Sequence, residues 1–172
     1  ERAIADYSEA IRLNPKYVTF YNRANDRAAA GDPEGAIADY SEAIRLNPEY
    51  APAFLNRGNA RYSRDDLEGA ITDYSEAMRL DPEDPVAVYN RGNTRVMARD
   101  LEGAIADYSE AIHLNPDYVE AFYNRAIAHR NAGDLEAAIA DVEHGARLAP
   151  GDEDFPRLLD KLRKRLQENG RA

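Results

Sequence analysis

The chain has 172 residues, 44% of them hydrophobic and 31% charged, with a formal net charge of −10 and no cysteine. That balance excludes nucleic acid or an anionic membrane as the main partner, because phosphate binding needs a dense basic face. The missing cysteines exclude a disulfide framework, thiolate chemistry and a zinc ribbon. No apolar run approaches the roughly 20 residues that span a bilayer, and no signal-peptide pattern opens the sequence. The compartment stays open, with the cytoplasm favoured.

In chain order, Glu1–Leu13 reads as a lone amphipathic helix with Ala3, Tyr7, Ala10 and Ile11 on one face. The proline after Asn14 ends it. The sequence begins without methionine, inside what proves to be a repeat, so it reads as a piece of something longer. The stretch DYSEAIRLNP at Asp6–Pro15 returns at Asp39–Pro48, as DYSEAMRLDP at Asp73–Pro82, as DYSEAIHLNP at Asp107–Pro116 and as DVEHGARLAP at Asp141–Pro150. The closing prolines therefore step by 33, 34, 34 and 34 residues, a period that marks stacked helical repeats. The predicted organisation is a truncated repeat over 1–15, repeats over 16–48, 49–82, 83–116 and 117–150, and a capping helix and tail over 151–172.

Each repeat is predicted to hold two helices. The first helices run over Val18–Ala30, Pro52–Arg64, Val86–Arg99 and Glu120–Ala132. The second run over Pro33–Leu46, Leu67–Leu80, Leu101–Leu114 and Leu135–Leu148. Between them, Asp32, Asp66, Asp100 and Asp134 suit helix N-caps. After a break at Gly151–Asp154, Phe155–Glu168 reads as a last helix with Leu158, Leu159, Leu162 and Leu166 on its apolar side. Its KLRKR run is read as the polar outer face of a cap, with a basic binding patch as the alternative.

The recurring slots carry a resemblance. Phe54, Gly58, Ala70, Tyr74, Ala77 and Pro82 in the second repeat, with their counterparts in the others, resemble the tetratricopeptide repeat pattern from Glu1 to about Pro150. The resemblance implies an all-α fold, with antiparallel helix pairs stacked into a right-handed superhelical solenoid that has a concave groove. Two slots depart from the pattern. Arg23, Arg57, Arg91 and Arg125 stand where the family has leucine, and Arg27, Arg61, Arg95 and His129 where it has tyrosine. A guanidinium on the packed side needs a partner, and each second helix offers one in Asp39, Asp73, Asp107 or Asp141, so an Arg–Asp ladder is expected. The first repeat is one residue short just before Phe20, which should shorten the approach to its first helix and perturb the step from Glu1–Leu13.

No catalytic, metal or cofactor motif appears. His113, His129 and His144 lack zinc-helix spacing, and there is no phosphate loop or nucleophile elbow. The informative face lies on the first helices, opposite the packed seam. There the resemblance implies a groove lined by Tyr21, Asn22 and Asn25; by Leu55, Asn56, Asn59 and Tyr62; by Tyr89, Asn90, Asn93 and Met97; and by Tyr123, Asn124, Ile127 and Arg130. The cation slots that hold C-terminal carboxylates in some family members carry Leu55 and Glu120, which speaks against such a clamp.

Asparagine recurs at 22, 56, 90 and 124 despite its poor helix propensity. It could grip a peptide backbone, since an amide donates and accepts. It could equally be a relic of duplication, or bond the adjacent repeat. On the first reading, alanine at 56 and 90 would leave the fold intact. The function expected is a non-enzymatic protein-interaction scaffold that binds an extended peptide or a helix in the groove without a cofactor. The alternative is a structural or self-association module. Weak homo-oligomerisation is expected through Ile4, Tyr7 and Ile11 of the N-terminal helix.

Overall fold

The computed structural model of the chain describes residues 2–169. Glu1, predicted to open the first helix, and the tail beyond Asn169 lie outside them. Among the described residues there are ten α-helices and no strand. They are α1 (Arg2–Leu13), α2 (Tyr17–Ala29), α3 (Pro33–Leu46), α4 (Ala51–Tyr62), α5 (Leu67–Leu80), α6 (Pro85–Met97), α7 (Leu101–Leu114), α8 (Val119–Ala132), α9 (Leu135–Leu148) and α10 (Asp154–Asn169). The fold is an all-α repeat array of packed helix pairs. It divides into two compact units, Glu1–Ala87 and Val88–Ala172.

The second helices α3, α5, α7 and α9 have their predicted bounds because their caps are written in the sequence. Asp32, Asp66, Asp100 and Asp134 accept hydrogen bonds from the backbone N–H of Gly35, Gly69, Gly103 and Ala137 at 2.9–3.0 Å. The first helices sit slightly earlier than predicted. They begin at Tyr17, Ala51, Pro85 and Val119, and three end before the predicted residue, at Ala29, Tyr62 and Met97. The cause lies in the turns. Gly31, Asp65, Arg99 and Gly133 all adopt positive φ (80°, 63°, 64° and 93°), which reverses the chain and stops the helix. The missing residue of the first repeat is absorbed in a loop. Residues 14–16 join α1 to α2, against 47–50, 81–84 and 115–118 elsewhere. The approach is shortened as expected, but the Arg23–Ser8 contact across that step matches its counterparts in later repeats.

Helix pairs close on small residues. Ala24, Ala36, Ala43, Ala70, Ala104, Ala111, Ala126 and Ala138 have no exposure at all. Tyr40, Tyr74 and Tyr108 fill the space between them. A Cβ on Gly58 would lie 2.7 Å from the Tyr74 ring, and one on Gly92 2.9 Å from Tyr108. The cap uses the same device. Phe155 of α10 enters beside Gly145, where a Cβ would meet its ring at 2.2 Å. It joins Leu158, Leu162, Val142 and Leu135 in a buried cluster. Leu166, predicted on the apolar side, is 37% exposed, because α10 outruns the surface it covers. The basic residues of α10 face outward, and Arg163 pairs with Glu143 at 2.8 Å.

The expected Arg–Asp ladder is present. Asp39, Asp73, Asp107 and Asp141 are buried. Each accepts a two-pronged bond from Nε and Nη2 of an arginine: Arg23 at 2.7 and 2.6 Å, Arg57 at 2.9 and 2.7 Å, Arg91 at 3.1 and 2.7 Å, and Arg125 at 2.9 and 2.6 Å. The third prong crosses to the preceding repeat. Nη1 of Arg23, Arg57 and Arg125 donates to Oγ of Ser8, Ser41 and Ser109 at 2.9–3.0 Å. A second arginine, Arg27, Arg61 or Arg95, also reaches the aspartate at 2.9 Å. The fourth repeat has only His129 there, 3.9 Å from Asp141.

Two stability predictions follow from these contacts. Arg57→Ala leaves Asp73 with Arg61, whereas Asp73→Ala strands two guanidiniums. Chemical unfolding should therefore show Asp73→Ala losing about 3–5 kcal/mol, the cost of breaking a buried pair, and Arg57→Ala distinctly less. Arg99→Gly relieves a left-handed arginine and should raise stability by about 0.5–1 kcal/mol, once the looser unfolded chain offsets part of the gain. Differential scanning calorimetry would read this as a higher Tm than wild type.

Candidate functional site

The sequence-derived groove residues fall on α2, α4, α6 and α8, and several tyrosines and asparagines among them form hydrogen-bonded clusters. In the first unit the Tyr40 hydroxyl donates to Asn25 Oδ1 at 2.6 Å. Asn56 Nδ2 donates to the same oxygen at 3.1 Å and to the Tyr21 hydroxyl at 3.0 Å. In the second unit Tyr108 donates to Asn93 Oδ1 at 2.8 Å. Asn124 Nδ2 donates to Asn93 Oδ1 at 3.0 Å and to the Tyr89 hydroxyl at 2.8 Å. Tyr74 likewise donates to Asn59 Oδ1 at 2.8 Å. Burial pushes the Tyr40 and Tyr74 hydroxyls well above the usual tyrosine value, so both stay neutral donors.

These bonds divide the asparagines into two sets. Asn25, Asn59 and Asn93 accept from the tyrosine of their own repeat. The fourth repeat shows why they are there: Val142 replaces the tyrosine and Ile127 replaces the asparagine, so hydroxyl and amide vanish together. Asn56 and Asn124 tie their repeat to the one before it, using both amide hydrogens. What they can offer a ligand is Oδ1, an acceptor only. Asn22 makes no such bond among the described residues. The expectation that alanine at 56 would leave the fold untouched is therefore corrected, because it would remove two interhelical bonds.

Two cavities gather part of the predicted set. In the first unit, Asn25, Asn56 and Asn59 line one of ≈ 620 Å³ with Ala28, Tyr40 and Ser63. In the second, Tyr89, Tyr123 and Asn124 line one of ≈ 190 Å³ with Phe155 and the carboxylates of Glu120, Asp152 and Asp154. Other members lie elsewhere. Leu55 packs against Phe54 and Ala77. Ile127 packs with Tyr123 against the terminal apolar cluster. Tyr62 and Asn90 are half-buried and Met97 is exposed. Arg130 is half-buried and bonds Asn131 at 3.2 Å.

Sequence reasoning missed Tyr50 and Tyr118, whose rings brace Tyr21 at 5.1 Å and Tyr89 at 4.9 Å. Their recurrence two repeats apart was the available signal. It also missed Asp152 and Asp154, which join Glu120 at the second-unit cavity from a loop and from α10, outside the repeat register. Among the described residues no cluster of His, Asp or Glu is arranged to hold a metal ion. No helix is long and apolar enough to cross a membrane.

Comparison with known proteins agrees with this geometry. A family model described as TPR repeat matches residues 24–64, 58–97 and 100–133, and one described as Tetratricopeptide repeat matches 119–152. No curated protein matches the sequence. Among solved structures, MamA from Desulfovibrio magneticus RS-1, from residue 41 to its end, is similar with TM-score 0.81 and 19% identity, over 88% of this chain and 85% of that one. YrrB, described as a TPR protein with an unusual peptide-binding site, gives TM-score 0.80 and 22% identity over 94% and 84%. The first TPR of Spaghetti (RPAP3), bound to the HSP90 peptide SRMEEVD, gives TM-score 0.65 and 27% identity over 68% and 93%. The likenesses to MamA and YrrB establish fold alone.

Asn56→Ala should lower unfolding stability by about 1–3 kcal/mol, two hydrogen bonds at about 0.5–1.5 each. Asn22→Ala, with no bond to lose and a better helix former in place, should keep it or raise it by up to about 0.7 kcal/mol in the same urea titration.

Proposed function

The chain belongs to the tetratricopeptide repeat family, and from that premise we propose that it is a non-catalytic protein-interaction scaffold that binds an extended peptide along the first-helix face of each unit. The observation that carries this reading is the pair of cavities lined by Asn25, Asn56 and Asn59 in the first unit and by Tyr89, Tyr123 and Asn124 in the second. Peptide binding by the structural relatives YrrB and RPAP3 supports it.

The charge of the face disfavours an acidic peptide such as the SRMEEVD that RPAP3 holds. Leu55 and Glu120 stand in the cation slots, and Glu120, Asp152 and Asp154 rim the second-unit cavity. A neutral or basic segment fits better. In the first unit, Asn22 supplies a free amide and Asn56 an Oδ1 acceptor for backbone N–H groups. Tyr123 and Tyr89 give apolar contact in the second. The remaining alternative, association of copies through α1, has less to draw on, because Ile4, Tyr7 and Ile11 are already half-buried.

A displayed library of random peptides, selected on the chain and then titrated, tests the reading. Selected peptides should be neutral or basic. Asn22→Ala should weaken first-unit binders about 3–10-fold, one hydrogen bond's worth, without lowering Tm. Unchanged affinities for Asn22→Ala and for Tyr123→Ala, with both proteins folded, would remove this face from the mechanism.

A further inference from the structure

The second-unit cavity of ≈ 190 Å³ differs in kind from the first-unit one, whose lining has no charged side chain. Three of its lining residues are aromatic. Phe155 is buried, Tyr123 stands at 87° to it with ring centroids 5.4 Å apart, and Tyr89 is the third. No lining side chain is a cation. Asn124 has both amide hydrogens committed, to the Tyr89 hydroxyl and to Asn93 Oδ1, so it presents only its own Oδ1. Glu120 makes no hydrogen bond or ion pair among the described residues. Asp152 accepts the Asp154 backbone N–H at 2.9 Å with one oxygen and keeps the other. Asp154 lies 3.8 Å from Arg157, which Glu153 also holds. Exposed carboxylates alone mark a solvated surface. Here they meet aromatic walls, and a ring face attracts a cation within about 6 Å of its centroid. The repeat does not explain Glu120 either, since Val86 and Pro52 stand at the matching positions of the preceding repeats.

We infer that this cavity seats one lysine side chain of a bound segment, with its methylenes along Tyr123 and Phe155 and its ammonium among Glu120, Asp152 and Asn124 Oδ1. Lysine brings three donors and no acceptor, which complements a lining whose charges are all negative. The acceptors come from α8 and from the loop over 149–153, not from one coplanar pair. A compact ammonium on an apolar stem suits them better than a rigid guanidinium fork. The inference rests on the peptide-binding reading above only for the source of the lysine, because the cavity itself can be probed with a free one.

The first probe is Nα-acetyl-lysine methylamide, titrated into the full chain and followed by NMR of the protein amides. Saturable shifts centred on Glu120, Tyr123, Asn124 and Asp152 are expected at about millimolar probe, and added salt should weaken them. The ε-acetylated compound, which has lost the charge, should give none. Glu120→Gln with Asp152→Asn should weaken binding about tenfold and keep the fold, since both carboxylates are exposed. Glu136→Gln removes an exposed carboxylate that does not line the cavity and should change nothing. The second probe is any display-selected peptide whose binding Tyr123→Ala abolishes. Norleucine in place of one of its lysines should cost about tenfold or more. Equal shifts from the lysine compound and its ε-acetylated form, or wild-type affinity in Glu120→Gln with Asp152→Asn, would overturn the inference. Selected peptides that bind this unit and lose nothing when every lysine is replaced would overturn it too, and would leave the peptide-binding reading standing. Failure to select any peptide would count against that reading alone, with the free lysine compound still deciding the cavity.

Discussion

A carboxylate buried in each second helix sets the terms for the rest of the repeat. Isolated in a packed seam, it would cost more than the seam gains, so the first helix must bring a guanidinium to it. Arginine suits this better than lysine because its planar fork meets both oxygens and keeps a third prong free. That prong reaches Ser8, Ser41 or Ser109 of the preceding helix, and each serine in turn donates to a carbonyl one turn back at 2.7 Å. One charged group thereby joins two second helices. The apolar contacts on either side are mostly alanine methyls, which contribute little area and no direction.

Tyrosine and asparagine supply the second constraint. A tyrosine ring between helices needs space, which Ala24, Gly58 and Gly92 give, and its hydroxyl needs an acceptor, which Asn25, Asn59 and Asn93 give. The fourth repeat drops the requirement by becoming apolar at both positions, Val142 and Ile127. It can do so because Phe155 and the leucines of α10 bring hydrocarbon to that end. This scaffolding leaves unused Asn22 and the Oδ1 atoms of Asn56 and Asn124.

Fold was legible because the repeat states each physical need several times. Asp32, Asp66, Asp100 and Asp134 announce the caps, and the prolines announce the period. The ladder could be derived because Arg57 and Asp73 stand in register where neither charge tolerates isolation. The helix ends were less legible. The left-handed turn falls on Asp65 and Arg99 in two repeats, where no glycine marks it. The groove was least legible. A period places Asn56 on a face but does not say which partner its amide finds, and the Tyr21–Asn25–Asn56 cluster depends on side-chain angles that no spacing encodes. The replacement of tyrosine and asparagine together in the fourth repeat was visible in the letters, and is understood only once the bond is seen.

The identity of α1 and α3, and the near-identity of α7, bear on how the chain reaches its native state. Helices that read alike accept the same mates, so a collapsing chain can seat α2 or α4 on several second helices with equal local satisfaction. Two chains folding side by side can likewise trade helices, a route to swapped oligomers. The fourth repeat and the cap carry a distinct mark. A Tyr–Asn pair does not suit the apolar Val142–Ile127 step, and Phe155 fits only beside Gly145. The fourth repeat therefore accepts a different mate from the one that the earlier repeats share.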